Sequence, residues 1–339
     1  MSEASGRALK AVPQPREPVE IVDCTHVVNG LRIGWRDSGP ADGHPIVMIH
    51  GLVESSRTWD KVTPYFNDTY RVISIDLLGH GASSAPIYGA DYSVPALATH
   101  VRDLMLMESV DHATVIGHSL GGGVALQLAY LWPKMVSRLV LEDAGGLGRS
   151  VSPILRLLAI PGLADPFIHL AVSPRTVGIA RRAAELAGMH RHGKIEDWFR
   201  AAELLATRSN RRAVLSLIRG VIGSAGQRVS AADRLHITAH LPVLVIWGER
   251  DSIIPVGHAR RAERMMPGAR VEYFPKSGHF PHLDDSEGFS RVVREFLETT
   301  KPARNTLDDL ADVFNEVPVL ARRDRRIRPG KRDEDPETT

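Results

Sequence analysis

The sequence predicts an α/β fold: a mostly parallel, eight-stranded sheet flanked by helices and carrying a helical insertion. Three observations lead there. Short apolar runs alternate with longer segments of helical period, the pattern of a sheet covered by helices. That alternation lapses between about residues 145 and 240, where helical patterns follow one another and prolines at 153, 161, 166 and 174 punctuate them. One apolar run, Ala113 to Gly117, passes through His118-Ser119-Leu120-Gly121 straight into a helical segment.

Taken in chain order, Val19 to Val28 and Leu31 to Asp37 are the first strands. Asn29-Gly30 turns between them, because this pair accepts positive φ and marks a hairpin. Pro45 to His50, Arg71 to Asp76, Ala113 to Gly117, Arg138 to Glu142, Pro242 to Trp247 and Arg270 to Phe274 complete the sheet. Helices are expected over Val94 to Glu108, Leu120 to Tyr130 and Asp285 to Leu297, the last with Phe289, Val292, Val293, Phe296 and Leu297 on one face. Inside the insertion the helical patterns cover Ile154 to Ile160, Thr176 to Met189, Ile195 to Ala206 and Arg211 to Ile222, with no strand among them. They read as a lid over one edge of the sheet. Residues 1–18 read as a disordered segment, 19–300 as the domain with its lid at about 145–240, and 301–339 as a charged tail.

Of the 339 residues, 43% are hydrophobic and 24% charged, enough apolar content for a substantial core. A formal charge of +2 argues for no nucleic-acid partner. Cys24 is the single cysteine, so no intramolecular disulfide forms and a reducing compartment is expected. The polar, proline-rich start lacks a secretory core and no apolar run reaches a membrane span, so the protein is expected to be cytoplasmic. In the tail, Arg322 to Arg332 carries seven basic residues against Asp324. Such a run attracts anionic lipid at about 1 kcal/mol per basic side chain. The acidic cluster Asp333 to Glu337 lies alongside, so a solvated tail is the expectation and peripheral membrane contact the competing reading.

The chemistry concentrates at strand ends. In Gly117-His118-Ser119-Leu120-Gly121 the serine sits in a strand–turn–helix setting that exposes its hydroxyl, and both glycines are needed where strand and helix close on each other. Ser119 is therefore the expected nucleophile. His279, in Ser277-Gly278-His279 after the last strand, is the expected general base, with His282 a nearby alternative. No histidine lies in an H-E-x-x-H pattern, and no metal is expected. The acid that orients the base is expected at Asp251, in Gly248-Glu249-Arg250-Asp251. Asp143 after the preceding strand is the main alternative and Glu249 a weaker one.

The stretches HGLVESSRTW (50–59), DLLGHGAS (76–83), GHSLGGG (117–123), WGERDSIIP (247–255) and SGHFPHLDD (277–285) resemble the α/β-hydrolase superfamily, in particular its lid-bearing esterases, lipases and carbon–carbon bond hydrolases. The resemblance spans about residues 19 to 300 and includes uncharacterised actinobacterial hydrolases. It implies the order Ser119, Asp251, His279 and an oxyanion hole built from the backbone amides of Leu52 and Leu120, with His50 bracing the loop. It implies no cofactor. Dehalogenases and epoxide hydrolases carry aspartate where this chain has Ser119, so attack on a carbonyl through an acyl-enzyme is expected. The expected substrate is a small lipophilic carboxylic ester or thioester. The rival reactions are carbon–carbon bond cleavage, with Arg181, Arg182 or Arg191 holding a substrate carboxylate, and ligand binding without turnover.

Overall fold

The computed structural model describes residues 19–304 except 164, 166–171, 188–198, 200, 201, 232–234 and 267. The expected disordered start, nearly all of the charged tail, Arg191 and part of the Ile195 to Ala206 pattern lie outside the described residues.

All eight expected strands form one sheet, with ends that differ from the expected ones by two residues at most. β1 (Ile21–Val28) and β2 (Leu31–Ser38) pair antiparallel, turned by Asn29 and Gly30 at φ 51° and 79°. β2 then lies antiparallel to β4 (Arg71–Ile75). From there β3 (Pro45–Ile49), β5 (Ala113–His118), β6 (Val136–Glu142), β9 (Val243–Gly248) and β10 (Arg270–Phe274) run parallel, giving the order β1-β2-β4-β3-β5-β6-β9-β10.

The central strands are apolar throughout because both sheet faces are covered. In β3, Val47 and Ile49 face a core shared with helices α1 (Val94–Met107) and α2 (Leu120–Leu131). Ile46 and Met48 face the opposite core, with Trp59, Phe66 and helix α8 (Ser286–Thr299), whose Phe289, Val293 and Phe296 form the expected stripe.

The insertion between β6 and β9 carries α3 (Pro153–Leu158), α4 (Pro174–Leu186) and α5 (Arg208–Val221). Two of the punctuating prolines, Pro153 and Pro174, take the first helical position, where a missing N–H costs nothing, and the serines before them, Ser152 and Ser173, cap the two helices. One expectation is corrected here. The insertion does contain strands: β7 (Ile222–Gly223) and β8 (Gly226–Gln227) pair as a short antiparallel hairpin. Two-residue strands are too short to show a period, and Ile222 continues the apolar stripe of α5, so the pattern alone reads as helix. Val214, Leu215, Ile218 and Ile222 pack with Val151 and with the partly buried Leu52 and Val53 of the loop after β3, which seats the insertion on the carboxyl end of the sheet. Between β9 and α8 lie α6 (Gly257–Met265) and α7 (Pro281–Asp284). Among the described residues no helix is long and apolar enough to cross a membrane.

The junction of β5 and α2 sets the tightest packing. A Cβ on Gly117 would stand 2.4 Å from the carbonyl oxygen of Gly121, and one on Gly121 would stand 2.2 Å from that of Ile49. Both neighbours are backbone and cannot swing aside. Two residues further on, a Cβ on Gly123 would meet nothing nearer than 3.7 Å. Gly121→Ala is therefore expected to lose about 2–4 kcal/mol of stability. Gly123→Ala on the same helix should be neutral or gain up to about 1 kcal/mol. Urea midpoints of the two variants check this, and equal effects would contradict it.

Candidate active site

Ser119 stands at the β5–α2 junction with φ 51° and ψ −113°, a conformation few side-chain-bearing residues adopt. The surrounding backbone holds it there. Its amide donates to the carbonyl of Glu142 at 2.9 Å, and its own carbonyl accepts from Gly122 at 3.1 Å and Gly145 at 2.8 Å. A strained turn persists only when such contacts over-determine it. The result is that Oγ points toward the loop after β10, where His279 Nε2 lies 2.9 Å away.

His279 Nδ1 is 2.7 Å from Asp251 Oδ2, and Asp251 Oδ1 accepts from the amides of Ile253 at 2.7 Å and Ile254 at 3.0 Å. Three strand ends, those of β5, β9 and β10, thus bring together the three expected residues. With Nδ1–H given to Asp251, Nε2 is left to accept the serine hydroxyl proton. Burial would raise the Asp251 carboxyl, but the hydrogen bond and charge of His279 outweigh it and hold the group below its ordinary value. Burial lowers His279, helped by the charge of His118 and opposed by Asp251.

The alternatives fall elsewhere. Asp143 is fully buried, and its Oδ1 accepts the Gly248 amide at 3.1 Å. Burial and the charges of Glu142 and Asp251 raise it well above its ordinary value, which favours its neutral form beside the relay. One of its oxygens, one of Asp251 and a nitrogen of His279 lie within 4.8 Å of one another, yet the imidazole faces Asp251. Glu249 is exposed. His282 is fully buried, with Nδ1 at 2.9 Å and its amide at 2.8 Å from Glu142 Oε1, and Nε2 at 2.8 Å from Thr58 Oγ1. It braces the loop that carries His279. His50 Nε2 accepts the amide of Leu77 at 3.0 Å, a bracing contact of the expected kind.

Sequence reasoning passed over a buried ion pair. His118, inside the serine motif, has Nδ1 3.2 Å from Glu54 Oε2, and its Nε2 donates to the carbonyl of His279 at 2.7 Å. Glu54 also accepts from the Gly51 amide at 2.7 Å. Burial alone would make the histidine less basic, but the Glu54 charge and hydrogen bond win and raise it to about 9. Burial likewise opposes Glu54, and His118 outweighs it, holding the carboxyl at about 2. The only sequence signal for this pair is that both residues lie within the motif stretches.

The site opens on a cavity of about 200 Å³. Leu52, Val53, Leu120, Val151, Leu155 and Ile222 make its wall apolar; Glu54, His118, Ser119, Gln227 and His279 are the polar groups on it. Leu52 and Leu120, expected to supply the oxyanion amides, both sit on this wall. No lysine or arginine lines it among the described residues. Arg181 instead pairs with Glu203 at 2.9 Å and lies over the Phe199 ring, and Arg182 is exposed.

The Glu54–His118 pair makes stability depend on pH. Glu54 contributes fully above its ordinary 4.5 and loses that contribution as pH falls through about 2. His118 contributes fully below its ordinary 6.5 and loses its share as pH rises through about 9. The stability gap between the wild type and Glu54→Gln should be widest near pH 6 and shrink by about pH 9.5. Denaturant titrations at both pH values check it; an unchanged gap would mean the pair is not charged.

Residues 46–292 match the alpha/beta hydrolase family. An uncharacterised protein of Mycobacterium tuberculosis (strain ATCC 25618 / H37Rv) is 39% identical over 280 residues, covering 81% of this chain and 81% of that one. A 2-hydroxy-6-oxo-2,4-heptadienoate hydrolase of Pseudomonas putida is 25% identical over 279 residues, covering 80% of this chain and 94% of its own length. Among solved structures, an esterase from Rhodococcus sp. ECU1013 aligns with a TM-score of 0.61 and 28% identity, over 83% of this chain and 99% of that one. The matched residues take in the strand ends that carry Ser119, Asp251 and His279, and the chain belongs to the alpha/beta hydrolase family.

Proposed function

We propose that the chain hydrolyses uncharged carboxylic esters or thioesters with an apolar part, through an acyl-enzyme on Ser119. The observation that carries this reading is the relay Ser119–His279–Asp251, at 2.9 Å and 2.7 Å, opening on an apolar cavity. Ser119 Oγ attacks the carbonyl carbon while its proton passes to His279 Nε2. The oxyanion that forms is held by the amides of Leu52 and Leu120. The tetrahedral intermediate collapses, and His279 gives its proton to the departing alkoxide or thiolate. Water then attacks the acyl-enzyme with His279 again as base, releasing the acid and restoring Ser119. Asp251 holds the imidazole tautomer and stabilises the imidazolium without taking its proton. Asp143, as a neutral acid, leaves that single negative charge in place.

The cavity of about 200 Å³ is somewhat larger than the roughly 150 Å³ that accommodates benzene in an apolar interior, which suits a small apolar substrate group. Its charge favours ester cleavage over the carbon–carbon route. The substrate named for the Pseudomonas putida relative is a carboxylate, whereas the described wall here offers no lysine or arginine, and its one cation, His118, is already paired with Glu54. An anion bound there would lose its hydration with no free counter-charge to replace it.

Ser119→Ala and His279→Ala should each lower kcat/KM for an aryl hexanoate by about 10⁴-fold or more. Asp251→Asn should cost about 10²- to 10⁴-fold. Asp143→Asn exchanges one neutral group for another of the same shape and should cost less than about tenfold. A larger loss at Asp143 than at Asp251 would reverse the acid assignment. Failure of a fluorophosphonate to label Ser119 would instead point to a binding protein without turnover.

The pH profile is a separate check. His279 works as a base only when neutral, and burial and His118 hold it below 6.5. The acid limb of kcat/KM should therefore have its midpoint below pH 6.5. His118→Gln removes a neighbouring cation, which makes the imidazolium easier to form, so the midpoint should move up. A downward movement would contradict the assignment of charge to His118.

A further inference from the structure

The loop after β3 runs hard against the nucleophile: a Cβ on Gly51 would stand 3.1 Å from the Cβ of Ser119. Side chains hold two of its consecutive amides. Gly51 donates to Glu54 Oε2 at 2.7 Å, and Val53 donates to His80 Nε2 at 3.2 Å. The amide between them, that of Leu52, donates to nothing among the described residues, and Leu52 lies on the cavity wall. Val53 itself has φ 64°, in the left-handed region that a β-branched residue rarely enters. Glycine would adopt that φ without strain. Valine instead packs its side chain into the cluster that seats the insertion, with Val214 and Ile218 at its centre, so its backbone needs an outside hold.

His80 supplies that hold. It is fully buried on the loop after β4, and the reaction above does not use it. Its Nδ1 lies 3.1 Å from the carbonyl of Leu78. A carbonyl only accepts and an amide only donates, so the proton sits on Nδ1 and the lone pair of Nε2 meets Val53. Burial, helped by His50, lowers the ring to about 3, so a proton does not take that lone pair near neutral pH. The loop that carries His80 is itself fixed. Asp76 Oδ2 accepts the Ala82 amide at 2.8 Å, and Oδ1 accepts that of Ser56 at 2.6 Å. The bracing is reciprocal: His50, at the start of the first loop, accepts the amide of Leu77 at 3.0 Å in the second.

We propose that His80 is a positioning residue of the oxyanion hole, holding Val53 in its left-handed conformation so that the Leu52 amide is aimed at the carbonyl oxygen of the substrate. Without that hold Val53 relaxes toward negative φ, which turns the peptide between residues 52 and 53 and carries the Leu52 amide off its line. This rests on the ester reading above and deepens it. An oxyanion donor acts on the charge that develops in the transition state, so misplacing it lowers kcat and leaves KM nearly unchanged.

The test is a double-mutant cycle read on an aryl hexanoate. His80→Leu, which has no acceptor, should lower kcat by about 10- to 100-fold while KM stays within about twofold. The affinity of an alkyl trifluoromethyl ketone, whose hemiketal oxyanion on Ser119 occupies the same hole, should fall by a similar factor. His80→Gln, whose Oε1 can reach the place of Nε2, should recover most of the loss. When Val53→Gly is also present, His80→Leu should cost less than about threefold, because glycine takes the left-handed φ unaided. Equal costs of His80→Leu with and without Val53→Gly would overturn the proposal, since they are the result of a general loss of packing. A raised KM at unchanged kcat would overturn it too. If His80→Leu does not fold, the imidazole nitrogen NMR shifts of the wild type decide: His80 should be protonated on Nδ1, and a proton on Nε2 would end the proposal, because that nitrogen could not accept from Val53. A wild type that turns over no ester overturns the ester reading and this proposal with it, whereas failure of the proposal alone leaves wild-type turnover intact.

Discussion

The close approach of β3, β5 and α2 around Ser119 is the constraint on which the rest of the site depends. Glycine at 117 and 121 lets the helix start hard against two strands, and the turn between them has room only for a left-handed residue. Serine in that conformation is strained by about 1–3 kcal/mol. The strain is sustained because the Ser119 peptide is bonded on one side to β6 and on the other to the loop after it. The positions of His279, Gly145 and, through Gly146, Gln227 all follow from where that turn stands.

Beneath the turn lies a second layer that an account limited to three residues would omit. His118 sits between the relay and Glu54, with one ring nitrogen on Glu54 and the other on the carbonyl of His279. It does two things at once. The hydrogen bond fixes the backbone of the base, and the charge discourages His279 from protonating. Glu54 neutralises most of that charge, which limits the desolvation that a lone buried imidazolium would suffer. The Glu142–His282 contact fixes the next turn of the same loop. The base is thus positioned from behind by two histidine–carboxylate pairs and from the side by Asp251.

How much of this is legible in the sequence depends on the range of the contact. The strands and the residues at their ends were readable, since apolar runs and a glycine-framed serine are local patterns and this fold uses its strand ends for chemistry. Position in the sequence favoured Asp251 but kept Asp143 as an alternative, because both follow parallel strands. What separates them is which oxygen meets His279 Nδ1, a contact across the sheet. Glu54 and His118 pair over 64 residues, and Gln227 reaches Gly146 over 81, so neither leaves a periodic trace. The β7–β8 hairpin was missed for the opposite reason: it is so local that no period fits inside it.

The insertion and the sheet divide the work accordingly. In the proposed reaction, residues on strand ends and the loops next to them move protons, and the sequence announces them because that chemistry restricts residue type. The insertion contributes cavity wall: Val151, Leu155, Ile222 and Gln227. Apolar wall positions tolerate exchange among residues of similar volume, so nothing in their identity marks them as wall rather than core. Gln227 differs because an amide on an apolar wall has to be justified by a partner on each end. One end has Gly146, and the other is buried without a partner among the described residues. On the proposed reaction, reactivity belongs to the strand ends, whose pattern is the most informative, while the insertion, whose pattern is the least informative, supplies part of the apolar wall.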